Sequence, residues 1–185
     1  MGLKTIEYET LGDLLDHEAA AEEDPQTMKI IRRLQHVKHD RELSRGEFLD
    51  ICYWKSTRSI RQCERNSASV IELASQKVLS TRSERRRIEL LTGLHGVSIP
   101  TASAILTLTD TDNYGVIDIR VWQLLYVLNS IQNNARGQGF TFEHWYRYLK
   151  ILRHHAHRLN RPVRIVELTL FKFHQPRQQG RLYEA

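Results

Sequence analysis

Gly96 and Pro100 lie close together between two helix-patterned stretches, and this punctuation constrains the chain more than any other feature. Glycine tolerates the positive φ that ends a helix, and proline suits a helix's first turn because its missing N–H would be unpaired there anyway. Ahead of Gly96, the apolar residues Ile88, Leu90, Leu91 and Leu94 recur at helical spacing, with Arg82, Arg85, Arg86 and Arg87 filling much of the remaining surface. Beyond Pro100, the pattern continues from Thr101 to Leu108, so the segment reads as helix, short turn, helix. Such a turn aims unpaired N–H groups of the second helix at one point in solvent, where a phosphate can accept them. Gly96, Val97 as a hydrophobic plug, Ser98 and the Thr101 hydroxyl are then the candidate contacts, with Arg85, Arg86 and Arg87 supplying counterion release. The same punctuation also serves an ordinary helical core.

Helical periodicity runs on through 11–22, 27–39, 44–53, 59–66, 68–79, 83–94, 100–108, 118–130, 141–159 and 162–174, with little strand signal. Starts are marked at Asp24-Pro25, at Ser44 before Glu47, at Thr81 before Glu84, at Thr141 before His144 and at Arg161-Pro162. The expected fold class is all-α, as two small helical lobes flanking a cleft. An acidic segment (1–24) leads into the helical domain (25–174), and a polar tail (175–185) follows. The leader holds eight carboxylates against Lys4 alone, so the overall net charge of +5 conceals a strongly basic body. That leader is read either as a frayed or packed helix or as an electrostatic mimic over the DNA surface.

The residues Leu94, Gly96, Val97, Thr101 and Ala102, followed by Ile117, Asp118 and Val121, resemble the helix-hairpin-helix DNA glycosylase superfamily of the endonuclease III and adenine glycosylase kind. The similarity is close from about Leu90 to Leu128 and looser in the flanking helices. The resemblance implies a monofunctional DNA glycosylase, a hydrolase that flips a damaged or modified base out of duplex DNA, with Asp118 as the catalytic carboxylate. Three positions depart from the family pattern: Ser98 stands for the second hairpin glycine, Pro100 for the lysine of the bifunctional members, and Ile119-Arg120 for threonine-histidine. Arg120 is therefore either a DNA contact or a side chain that pairs with Asp118 and fills the site. Asp118 also reads as the N-cap of the helix it opens. Two further readings stay open: a non-catalytic DNA-binding module, and a lyase using another lysine such as Lys55.

Trp54, Lys55 and Arg58 combine an aromatic face with cations and are the candidate base pocket; an ordinary core tryptophan with two solvated cations is the alternative. Trp145, Tyr146 and Tyr148 follow core periodicity, and His154, His155 and His157 read as solvated histidines, so no metal site is expected. Cys52 and Cys63 are too few for an iron–sulfur cluster, and no cofactor is expected beyond a monovalent cation at the hairpin carbonyls. The expected partner is double-stranded DNA with a flipped nucleotide. A monomer in the cytoplasm, associated with the nucleoid and not with a membrane, completes the expectation.

Overall fold

A computed structural model describes residues 2–179, and it is mostly helical. The helices are α1 (Leu11–His17), α2 (Pro25–Arg33), α3 (Val37–Asp40), α4 (Arg45–Lys55), α5 (Ile60–Cys63) and α6 (Ala68–Ser80). They continue with α7 (Glu84–Thr92), α8 (Ile99–Thr109), α9 (Ile119–Val127), α10 (Phe142–Leu159) and α11 (Val163–His174). Two short strands, β1 (Gly2–Leu3) and β2 (Gln178–Gln179), pair antiparallel, with Gly2 opposite Gln179.

Most starts follow local side-chain chemistry. Asp24 accepts from the N–H groups of Gln26 and Thr27 at 3.0 and 2.9 Å, and Ser44 with Glu47 and Thr141 with His144 form capping boxes. The cap of α7 is Ser83 and not Thr81, whose hydroxyl instead accepts the Ser83 N–H at 3.2 Å. The stretch 27–39 is interrupted: α2 stops at Arg33, a 3-10 turn covers Leu34–His36, and α3 ends at Arg41 in the left-handed region (φ 57°). The expected helix at 59–66 shortens to α5 behind a 3-10 turn at Thr57–Ser59.

α8 lies at the centre, packed against α4 and α7, and Thr101 through Thr109 are all buried. Its Ser103, Thr107 and Thr109 hydroxyls donate back to Pro100, Ser103 and Ile105 carbonyls at 2.7–2.8 Å, so a hydroxyl-rich helix is buried without orphaned donors. Around it, fully buried Trp122, Trp145, Tyr148 and Phe48 contribute the largest apolar bodies, each worth roughly 1.5–3 kcal/mol of burial. Tyr146 alone of the 145–148 aromatics is exposed. The buried side chains from Leu11 to Phe173 join one hydrophobic cluster.

The acidic leader is packed onto the body. α1 buries Leu11, Leu14 and Leu15 and then stops at His17, short of the expected 22, and Asp16 takes a two-oxygen grip from Arg158 at 2.7 and 2.9 Å. The extended strap that follows is fixed to α11, with the Ala21 N–H donating to Thr169 Oγ1 at 3.0 Å and Glu23 held by Arg164. In the tail, residues 175–179 are a 3-10 turn and β2, while 180–185 lie outside the described residues. Among the described residues, no helix is long and apolar enough to cross a membrane.

Candidate active site

The turn between α7 and α8 is fixed from behind. Gly96 has φ 76°, and a Cβ there would lie 2.7 Å from the Cys63 backbone nitrogen and 2.8 Å from Cys63 Sγ. The close approach that demands glycine is thus to α5. Asn66, buried at the start of α6, donates to the His95 carbonyl at 2.9 Å and accepts the His95 N–H at 2.9 Å. Val97 is buried as the plug, and Ser98 Oγ lies 3.3 Å from Thr101 Oγ1. Gly96→Ala should therefore destabilise the fold itself, by about 2–3 kcal/mol from backbone strain and overpacking. Chemical denaturation of the variant should show a lower midpoint with an unchanged m-value, and a stability equal to the parent's would disprove the close approach.

The arginines of α7 divide by role. Arg87 is half-buried and holds Val78 O, Thr81 O, Glu84 and the Tyr114 hydroxyl, so its donors brace the fold. Arg85 pairs with Glu143 at 2.9 Å over the Phe142 ring, and Arg86 pairs with Glu89 at 3.4 Å; both are solvent-facing. None of the three lines a cavity that contains Asp118.

Asp118 sits at the end of a tightly held segment. A Cβ on Gly115 would lie 2.6 Å from Leu152 Cδ1, so a larger residue there would have to displace that leucine side chain of α10. The Val116 N–H then donates to Glu167 Oε2 at 3.3 Å, its carbonyl accepts the Tyr148 hydroxyl at 2.8 Å, and the Ile117 N–H reaches Ser103 Oγ at 3.1 Å. Asp118 caps α9, one oxygen accepting the Arg120 N–H at 2.9 Å. Its other oxygen accepts from Lys55 Nζ at 3.3 Å, and the two side chains are only 18% and 16% exposed. The last residue of α4 thereby meets the first turn of α9.

Two cavities share Lys55, Asp118 and Arg120. One, of about 400 Å³, is walled by Trp54, Val116, Leu168 and Phe171 and by the strap residues Glu23 and Asp24. The other, of about 660 Å³, is a polar groove bordered by Ser56 to Ser59, including Arg58, by Ser98 and Thr101, and by the loop Gly137 to Phe140. The structure thus brings Trp54, Lys55, Arg58, Ser98, Thr101, Asp118 and Arg120 to one place, while Gly96 and Val97 face Cys63 and the core. Trp54 is half-buried and donates its indole N–H to Thr27 Oγ1 at 2.8 Å. The Arg120 side chain lies over the Phe171 ring at 5.4 Å and leaves the Asp118 carboxylate to Lys55.

Beneath the smaller cavity, Arg164 is clamped between two carboxylates. It donates to both Glu23 oxygens at 2.7 and 3.0 Å and to Glu167, and each carboxylate side chain is 2% exposed. Burial pushes the Glu167 carboxyl above its ordinary range, with the Arg164 charge opposing that rise. Next to Arg120, the fully buried His174 is held down to about 4, first by burial and then by the Arg120 charge, and is neutral near pH 7. Among the described residues, no three His, Cys, Asp or Glu side chains gather as a metal site.

A carboxylate fixed by one backbone N–H and one amine, at the junction of a polar groove and an aromatic-walled pocket, can stabilise a cationic centre brought to that junction. Sequence patterning did not reveal Glu23, Asn66, Ser103, Arg164, Glu167 or Phe171; of these, only Asn66 carried a local hint, as a turn-favouring residue before the Ser67 cap. No family model, curated protein or solved structure matches the chain.

Proposed function

We propose that the chain is a DNA glycosylase that hydrolyses the N-glycosidic bond of a base extruded from duplex DNA, with Asp118 as the catalytic carboxylate. The observation that carries this reading is the position of Asp118 between the two cavities. The groove offers small hydroxyls and turn N–H groups suited to a phosphodiester backbone, and the pocket, with Trp54 and Phe171 on its walls, suits the flat face of a base. A nucleotide spanning both would bring its C1′ to the carboxylate. As the glycosidic bond stretches, the sugar gains oxocarbenium character, the Asp118 charge stabilises it, and water completes the substitution while the base leaves with a proton. Lys55 and the α9 N-terminus hold the carboxylate in place for that task.

The Lys55–Asp118 pair favours one second reading, in which the amine itself attacks. A deprotonated Lys55 Nζ would bond to C1′ as the base departs, and ring opening would give an imine that eliminates the 3′ phosphate. One experiment separates the two. Duplexes carrying single modified bases are incubated with the protein, and free base, strand cleavage and borohydride-trapped adduct are measured together. Hydrolysis gives free base with intact strand and no adduct. An adduct mapped to Lys55 would replace hydrolysis by the amine route, and no base release across a broad panel of alkylated, oxidised and deaminated bases would end the enzymatic reading.

A further inference from the structure

We infer that Arg120 reads the edge of the base: its guanidinium pairs with a carbonyl oxygen and an adjacent ring-nitrogen acceptor, as on guanine-type bases, and selects these over bases that carry an amino group in place of that oxygen, such as adenine. The inference rests on the glycosylase reading of the same pocket and names the class of base it takes.

The pocket's cations are not equivalent. Lys55 is bound to Asp118, Arg164 to Glu23 and Glu167, and Lys172 to the Glu22 carbonyl. Arg120 is held by an aromatic contact instead, with its guanidinium over Phe171, and its Nε is enclosed without an acceptor. Arg120 lines both cavities, and its contact with Phe171, which borders the smaller one and not the groove, sets the guanidinium against the smaller cavity's wall. The α11 carboxylate at this cavity, Glu167, is engaged by Arg164, and His174 beside Arg120 is neutral with both ring nitrogens unpartnered. The Arg120 guanidinium thus borders, together with Trp54 and Phe171, a volume within the usual range for small ligands. Arginine's two-donor fork matches the paired acceptors O6 and N7 of a guanine-type edge. Adenine presents an amino group in place of the oxygen, which sets donor against donor.

The test uses the full chain and two free bases that differ at that one position, hypoxanthine and adenine. Binding is read from the Trp54 indole N–H resonance, assigned by its loss in Trp54→Phe. Hypoxanthine should bind about tenfold to hundredfold more tightly than adenine. Arg120→Gln should abolish the difference, and so should Arg120→Lys, which keeps the charge and loses the fork. Equal affinities in the parent, a preference that survives both substitutions, or no binding of either base would each overturn the assignment. Release from a hypoxanthine-containing duplex is measured in parallel. An Arg120-dependent preference for free hypoxanthine, together with no release from any duplex, would retire the glycosylase reading and leave the edge-reading role standing.

Discussion

On the glycosylase reading, Asp118→Asn should lower the rate of base release by roughly 10²- to 10³-fold while duplex binding persists, as expected when one preorganised charge is removed from a developing cation. The substitution is close to isosteric, and an amide oxygen still accepts the Arg120 N–H, so the start of α9 is retained. What changes is the pair with Lys55, whose ammonium is left facing a neutral group. That pair is mostly buried, and leaving the ammonium opposite an amide should lower stability by about 1–3 kcal/mol. Single-turnover release and equilibrium binding on the same lesion duplex separate the two effects. Release at the parental rate would reduce Asp118 to a cap, and parallel losses in binding and release would point to a general disturbance of the groove. Asp118→Ser, which caps without charge, is the companion variant should the asparagine protein unfold.

The second large effect is on stability. Arg164→Met leaves Glu23 and Glu167 facing each other with their solvent already removed, and breaking a buried ionic group by deleting one partner typically costs about 3–5 kcal/mol. For a chain of this size that is a fall in Tm on the order of 10 °C. The deficit should depend on pH in a defined direction. Glu167 is already raised in the folded parent, and without the guanidinium that rise grows. The folded variant then binds more protons than the unfolded chain above the ordinary carboxylate range, so its stability falls as pH rises and recovers as pH is lowered from 7 toward 5. Glu23→Gln and Glu167→Gln added to Arg164→Met should restore much of the loss. A variant as stable as the parent at pH 7 would mean that water reaches the triad.

Helices were legible because their causes are local. The stretches expected at 44–53, 68–79, 100–108, 141–159 and 162–174 agree with α4, α6, α8, α10 and α11 to within two residues at each end, since caps and apolar spacing lie within a few residues of what they control. The errors have local causes too. Thr81 and Ser83 both qualify as caps, and the backbone chose the later one. The stretch 27–39 keeps its apolar spacing through a change of helix type that periodicity does not detect. The site was legible only in part. Asp118 and Trp54 could be singled out by type and position, but the partners that define their surroundings come from distant parts of the chain: Lys55 for Asp118, Glu23 for Arg164, Thr27 for Trp54. A lone Glu23 in an acidic leader looks like one more solvated charge, and only tertiary packing turns it into half of a buried clamp. Gly96 had a correct conformation and a different neighbour, because positive φ is a property of the residue while the collision with Cys63 is a property of the fold.

Asn66 gives the turn before α8 a mechanical character that loops seldom have. By gripping both the N–H and the C=O of His95, and also bonding the Cys63 carbonyl at 2.8 Å, one amide welds the turn to the junction of α5 and α6. Loops that meet ligands usually belong to the least stable, independently moving parts of a protein. This one has no such freedom, and a phosphate pulling on Ser98 or Thr101 would load α5 directly. The segment 56–63 runs back from there to Lys55, so a single short stretch of chain connects the turn's anchor to the amine that holds Asp118.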